Sequence, residues 1–196
     1  MTPQYKTLVR VLARAAARPT MPPTARSLTS VSADARAAFG STAHSRRRID
    51  QMPDWPTLDP TEQHDKLTEI TSEVLPTLPI GWTRLVVRAK MIGTHAESDS
   101  GVRMPDGTIR GWSFPPDVWR KFQQLRKGMY VQGLGSWIEF EYILDPPDRF
   151  AIRYNRDQAP AFSTPPTAAH FGTENKWFPR SDQEMPEWFR QGLGPA

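Results

Sequence analysis

The chain has 196 residues and no cysteine, which excludes disulfide frameworks, thiolate metal sites, iron–sulfur clusters and a cysteine nucleophile. Its length suits one folded unit that buries a core without such staples. The net charge of +4 is unevenly spread: residues 1–57 carry nine Lys/Arg against three Asp/Glu, and residues 58–196 carry 16 against 18. Phosphate neutralisation supplies most non-specific nucleic-acid affinity, so a nucleic-acid groove should leave a basic footprint on the folded domain. A nearly neutral domain argues against that class.

Residues 1–57 hold only three aromatics (Tyr5, Phe39 and Trp55), against 17 from residue 58 onward. Rich in Ala, Arg, Ser, Thr and Pro, this segment cannot offset an ordering entropy of about 1–2 kcal/mol per residue, so a disordered basic tail over 1–57 and a domain over 58–196 are predicted. Within the tail, Tyr5, Leu8, Val9, Leu12 and Ala16 fall at helical spacing opposite Lys6, Arg10 and Arg14. Arg10, Arg14 and Arg18 interrupt the apolar core that a secretory signal needs, whereas the lack of acidic residues before Asp34 fits an organelle transit peptide. The other reading is an over-extended start, with Met21 or Met52 as initiator. Arg46-Arg47-Arg48 is a basic cluster of the kind that touches nucleic acid or anionic lipid. No run approaches the ~20 apolar residues that span a bilayer.

The domain opens with a helix start: Asp59 as N-cap, Pro60 at the first helical position and Glu62 completing a capping box. Leu67, Ile70, Val74 and Leu75 form its apolar face, and Pro76 and Pro79 end it. Trp82–Ile92 is predicted as a strand and the polar stretch Gly93–Gly101 as a loop. Asp106-Gly107 is a turn signal between Val102–Met104 and Thr108–Arg110. Pro115-Pro116-Asp117 introduces a second helix, with Val118, Trp119, Phe122, Leu125 and Met129 inward and Arg120, Lys121, Gln124, Arg126 and Lys127 around the rest. In the strand Ser136–Leu144, the even positions Ile138, Phe140, Tyr142 and Leu144 are apolar and the odd positions include Glu139 and Glu141, so one face is buried. Phe150–Tyr154 returns against it, with Leu144 facing either Phe150 or Ile152 and Arg153 joining the glutamates outside. Pro165-Pro166 precedes a helix-like run through Ala168, Ala169 and Phe171. The class is α+β: one domain, an antiparallel sheet of hairpins packed against a few helices.

Catalytic patterns are sparse. His44, His64, His95 and His170 lack metal-site spacing and stand beside no recognisable serine nucleophile. There is no phosphate loop, and Gly133-Leu134-Gly135 is too short to bind one. Glu139 and Glu141 share one strand face and could divide acid and base roles, the basis of an alternative metal-dependent hydrolase or nuclease; alternating Glu is also the ordinary solvent side of a strand, with Arg153 as partner. Trp82, Trp119, Trp137, Trp177 and Trp188 fit core packing, whereas Trp112 and Tyr130 are candidate interface anchors. No cofactor and no metal are expected.

The ordered set Leu125-Arg126-Lys127-Gly128-Met129-Tyr130, Gly135-Ser136-Trp137, Tyr154-Asn155, Ala159-Pro160, Phe178-Pro179-Arg180 and Met185-Pro186-Glu187-Trp188 resembles the YezG-type immunity proteins of bacterial polymorphic toxin systems. With the Leu58 helix and Pro79-Ile80-Gly81-Trp82, the likeness spans residues 58–192. It implies an α+β domain, a cytoplasmic location, no catalytic residues and a role in holding a cognate toxin domain 1:1. The expected toxin-facing residues are Trp112, Tyr130, Glu139, Glu141, Arg153 and Arg156. One departure stands out: Arg153-Tyr154-Asn155-Arg156-Asp157 is basic where related sequences are acidic, which disfavours mimicry of an anionic substrate. The basic tail has no counterpart in the family, and a nucleic-acid role through that tail is the second alternative.

Overall fold

Asp59 accepts hydrogen bonds from the backbone N–H groups of Thr61 and Glu62, and Glu62 returns one from the Asp59 N–H, so a complete capping box starts α1 (Pro60–Val74). A short 3-10 turn, Leu75–Thr77, follows. The computed structural model describes residues 55–194. The tail expectations, the alternative starts and His44 lie outside the described residues. Trp55, expected in the tail, packs on Phe178 at 4.7 Å and edge-on to Tyr130.

Five strands follow in one antiparallel sheet: β1 (Arg84–Ile92), β2 (His95–Arg103), β3 (Ile109–Gly111), β4 (Glu139–Asp145) and β5 (Arg149–Asn155). Their order is β3-β2-β1-β4-β5. Three helices complete the described fold: α2 (Pro116–Gly128), α3 (Ala168–Trp177) and α4 (Glu187–Leu193). None of the helices among the described residues is long and apolar enough to cross a membrane. The molecule is an α+β domain, and the hairpin register is the Leu144–Phe150 alternative, which sets Glu141 opposite Arg153.

The expectation of a loop after β1 is overturned. Gly93–Gly101 is largely strand β2, paired along its whole length with β1, and only Gly93-Thr94 form the turn. Two-residue hairpin turns favour a residue with positive φ, and Gly93 supplies it at 56°. On the side that α1 and α2 cover elsewhere, Ala96, Ser98 and Ser100 are small, and Ala96 and Ser98 are exposed because the helix layer does not reach this part of the sheet, so no apolar alternation marks the strand.

The sheet carries two cores, one on each face. α1 and α2 cover one face, where Phe122 stacks on Phe140 at 4.4 Å and Thr71 Oγ1 meets Tyr142 Oη at 2.7 Å. Lys121 ties the two helices together through Glu69 and Glu73. α3 and α4 cover only one end of the opposite face, burying Ile92, Ile138, Phe171 and Phe189. Ile138 therefore faces away from Phe140, contrary to the alternation expected along Ser136–Leu144. Trp137 takes the place beside Phe140, and Ile138 and Glu139 both point to the second face, in the manner of a β-bulge. Trp177, expected in the core, is 39% exposed.

Candidate partner-binding surface

Among the described residues, α3, α4 and the segment 160–164 cover one end of their face and leave the rest of it uncovered. Its register can be read across the five strands. One row runs Ile109, Arg103, Arg84, Asp145, Arg149; the next runs Gly111, Gly101, Val86, Ile143, Ala151; the third runs Asp99, Arg88, Glu141, Arg153. An apolar and glycine row is thus flanked by two charged rows, and Ile109 is 70% exposed at its edge.

Several of these charges are paired across the strands. Arg84 donates twice to Asp145, at 2.7 and 2.8 Å, a forked pair that holds the carboxyl below its usual range and raises the guanidinium. Arg88 donates to Glu141 at 2.7 Å, and Arg153 approaches the other oxygen of the same carboxylate at 3.5 Å. Glu139 accepts from the Asn155 side chain at 3.0 Å. The Glu141 carboxylate is thus engaged by a guanidinium on each of its two oxygens. Among the described residues no three His, Asp or Glu side chains converge as a metal site.

A covered strip borders the open rows. Residues 160–164 cross this end of the face: Glu97 accepts from the backbone N–H groups of Ser163 and Thr164, Lys90 donates to the Ala161 carbonyl, and His95 stacks on His170 and packs at a tilt against Phe162. Those two N–H donors pull the Glu97 carboxyl down to about 2.

The six expected toxin-facing residues separate in space. Glu141 and Arg153 share the open face, whereas Glu139 lies in the next row with Lys90 and Glu97, at the strip that residues 160–164 cross. Arg156 lies just past β5, lining a shallow cleft with Leu134, Asp157 and Met185, and its carbonyl accepts from Arg180 at 2.7 Å. Trp112 packs on Phe114 and donates to Thr77 Oγ1 at 3.0 Å, and Tyr130 sits against Phe178 with its hydroxyl 3.4 Å from the Pro179 carbonyl. The last two are half-buried packing residues away from the open face. Missed from the sequence were Arg84, Arg88, Arg103 and Arg149; the alternation of Arg84, Val86, Arg88 and Lys90 along β1 was the signal that could have found the first two.

No protein-family model and no curated protein matches this chain.

Several of the motif residues named above for their resemblance are internal, among them Leu125, Arg126, Gly135, Ser136, Trp137, Phe178 and Arg180, whereas Lys127, Ala159 and Glu187 are exposed. Arg126, expected on the solvated side of its helix, is 1% exposed: it pairs with the equally buried Glu174 at 2.6 Å, donates to the Trp137 carbonyl and lies 4.4 Å over the Phe178 ring. Burial pushes both the Arg126 and the Arg180 guanidinium groups down. Arg180 reaches the carbonyls of Ser136 and Arg156, and a Cβ on Gly135 would stand 2.9 Å from its Nε. Phe178-Pro179-Arg180 and Gly135-Ser136-Trp137 are therefore two sides of one joint, which fastens α3 and α4 to the sheet.

Proposed function

We propose that the chain is a non-catalytic immunity protein that neutralises a cognate toxin domain in the cytoplasm by forming a 1:1 complex through the outer face of the β4–β5 hairpin. The observation that carries this reading is the rigid charge pattern there: Glu141, Arg88 and Arg153 locked across three strands, open to solvent, with the carboxylate committed to ion pairs. Such pre-ordered charges favour recognition, because little side-chain freedom remains to be lost on binding. The ordered motif resemblance supplies the toxin-neutralising role, and the internal joint explains why those motif residues are structural.

The test is a pull-down from the producing cells with the full chain as bait, followed by co-expression of the chain with the toxin domain it captures. Growth should be restored, and the purified pair should show 1:1 mass by light scattering. Failure of both rescue and complex formation would reject the reading.

A further inference from the structure

We infer that the partner presents an acidic protein surface around a narrow apolar strip, and that it docks on the whole open sheet face rather than on the β4–β5 hairpin alone; this rests on the toxin-binding reading above. The three open rows hold five arginines, Arg84, Arg88, Arg103, Arg149 and Arg153, against three carboxylates, Asp99, Glu141 and Asp145. Internal pairing consumes Arg84 and Arg88 and shares Arg153. Arg103 and Arg149, both exposed, stand at opposite sides of the sheet without a salt bridge among the described residues, and Asp99 likewise has none. Arg149 faces Asp145 across the strand pair and adds to the field on it, so the unpaired excess is cationic, with the Val86–Ile143 strip below. Guanidinium forks left over in this way match carboxylates, and the flanked apolar row supplies the dry centre that interfaces need.

Other occupants fit less well. Nucleic acid would meet the three carboxylates and find no aromatic ring in these rows on which to stack a base. Residues 1–57 carry the same sign of charge as the face. A second copy would set the arginine excess against itself.

The experiment measures binding kinetics of the full chain with the purified toxin domain captured in that pull-down. Three variants are compared with wild type: Arg103→Glu/Arg149→Glu, which reverses the two unpaired charges; Ala151→Trp, which sets a bulky ring on the exposed central row; and Arg120→Glu on α2, in the other layer, as control. Thermal melts establish that each is folded. Loss of affinity of about tenfold or more in the first two, with slower and less salt-sensitive association for the charge reversal and no change in the control, is the expected result. A toxin bound equally by all variants overturns the docking face and leaves the immunity reading standing. A wild-type chain that neither binds nor protects overturns the immunity reading and the docking face with it. Concentration-dependent dimerisation abolished by Ala151→Trp would assign the face to a second copy and overturn the proposal.

Discussion

Arg126 and Glu174 meet at 2.6 Å with each side chain 1% exposed, in a site also ringed by Trp137 and Phe178. A charge left alone there has no water to return to. Glu174→Ala should therefore cost about 3–5 kcal/mol in chemical denaturation, and adding Arg126→Met should recover much of that loss by removing the stranded cation. A double variant no more stable than the single one would assign the loss to packing. Glu97 shows a charge effect of the opposite kind, at the surface. Its folded carboxyl, at about 2, lies below the usual 4.5, so the unfolded chain takes up the proton first as pH falls. The stabilisation is complete above about pH 4.5 and disappears as pH falls toward 2. The melting-temperature gap between wild type and Glu97→Gln should accordingly close across that window; a gap independent of pH would contradict the assignment.

At the scale of elements, the β1–β2 turn shows how a local conformation serves a distant contact. Gly93 needs positive φ, and its N–H donates to Glu174 at 2.8 Å. A Cβ there would lie well inside van der Waals contact distance of the His170 carbonyl oxygen and 3.0 Å from Thr173 Cβ, so α3 sits directly on the turn. Gly93→Ala combines a left-handed penalty of about 1–2 kcal/mol with displacement of that helix. The expected outcome is destabilisation of about 2 kcal/mol or more, with hydrogen exchange rising in α3 before β1 and β4. Uniform protection loss across the sheet would show that the turn and not the helix contact is what the methyl disturbs. The β2 strand, by contrast, contains almost no hydrophobic alternation and exists because β1 offers it a full ladder of backbone partners.

The whole molecule depends on both faces of one sheet being occupied. α1 and α2 bury the larger core, and the α3–α4 segment seals Ile92 and Ile138, each 0% exposed, while supplying Glu174 to Arg126. Removal of residues 161–196 would expose that apolar end and strand the buried arginine. Such a truncation should lose its cooperative thermal transition, and a retained one would reduce the C-terminal helices to an accessory. Covering only one end of the second face also leaves the arginine-rich rows open, so the architecture that completes the core is the same one that creates the docking surface.

Local patterns were enough to recover much of this from the amino acids. The capping box at Asp59, the apolar stripe Val118, Phe122 and Leu125, and the alternation through Phe140, Tyr142 and Leu144 each lie within one element, where spacing follows directly from helix or strand geometry. The α+β class followed from their order. Long-range packing decided the rest. Whether Arg126 is solvated or buried depends on Glu174, 48 residues away. Whether Gly93–Gly101 is a loop or a strand depends on the edge that β1 presents. That a nearly neutral domain gathers five arginines on one open face depends on cross-strand register and on where α3 and α4 stop, because charge totals along a chain carry no information about which side of a sheet the charges share.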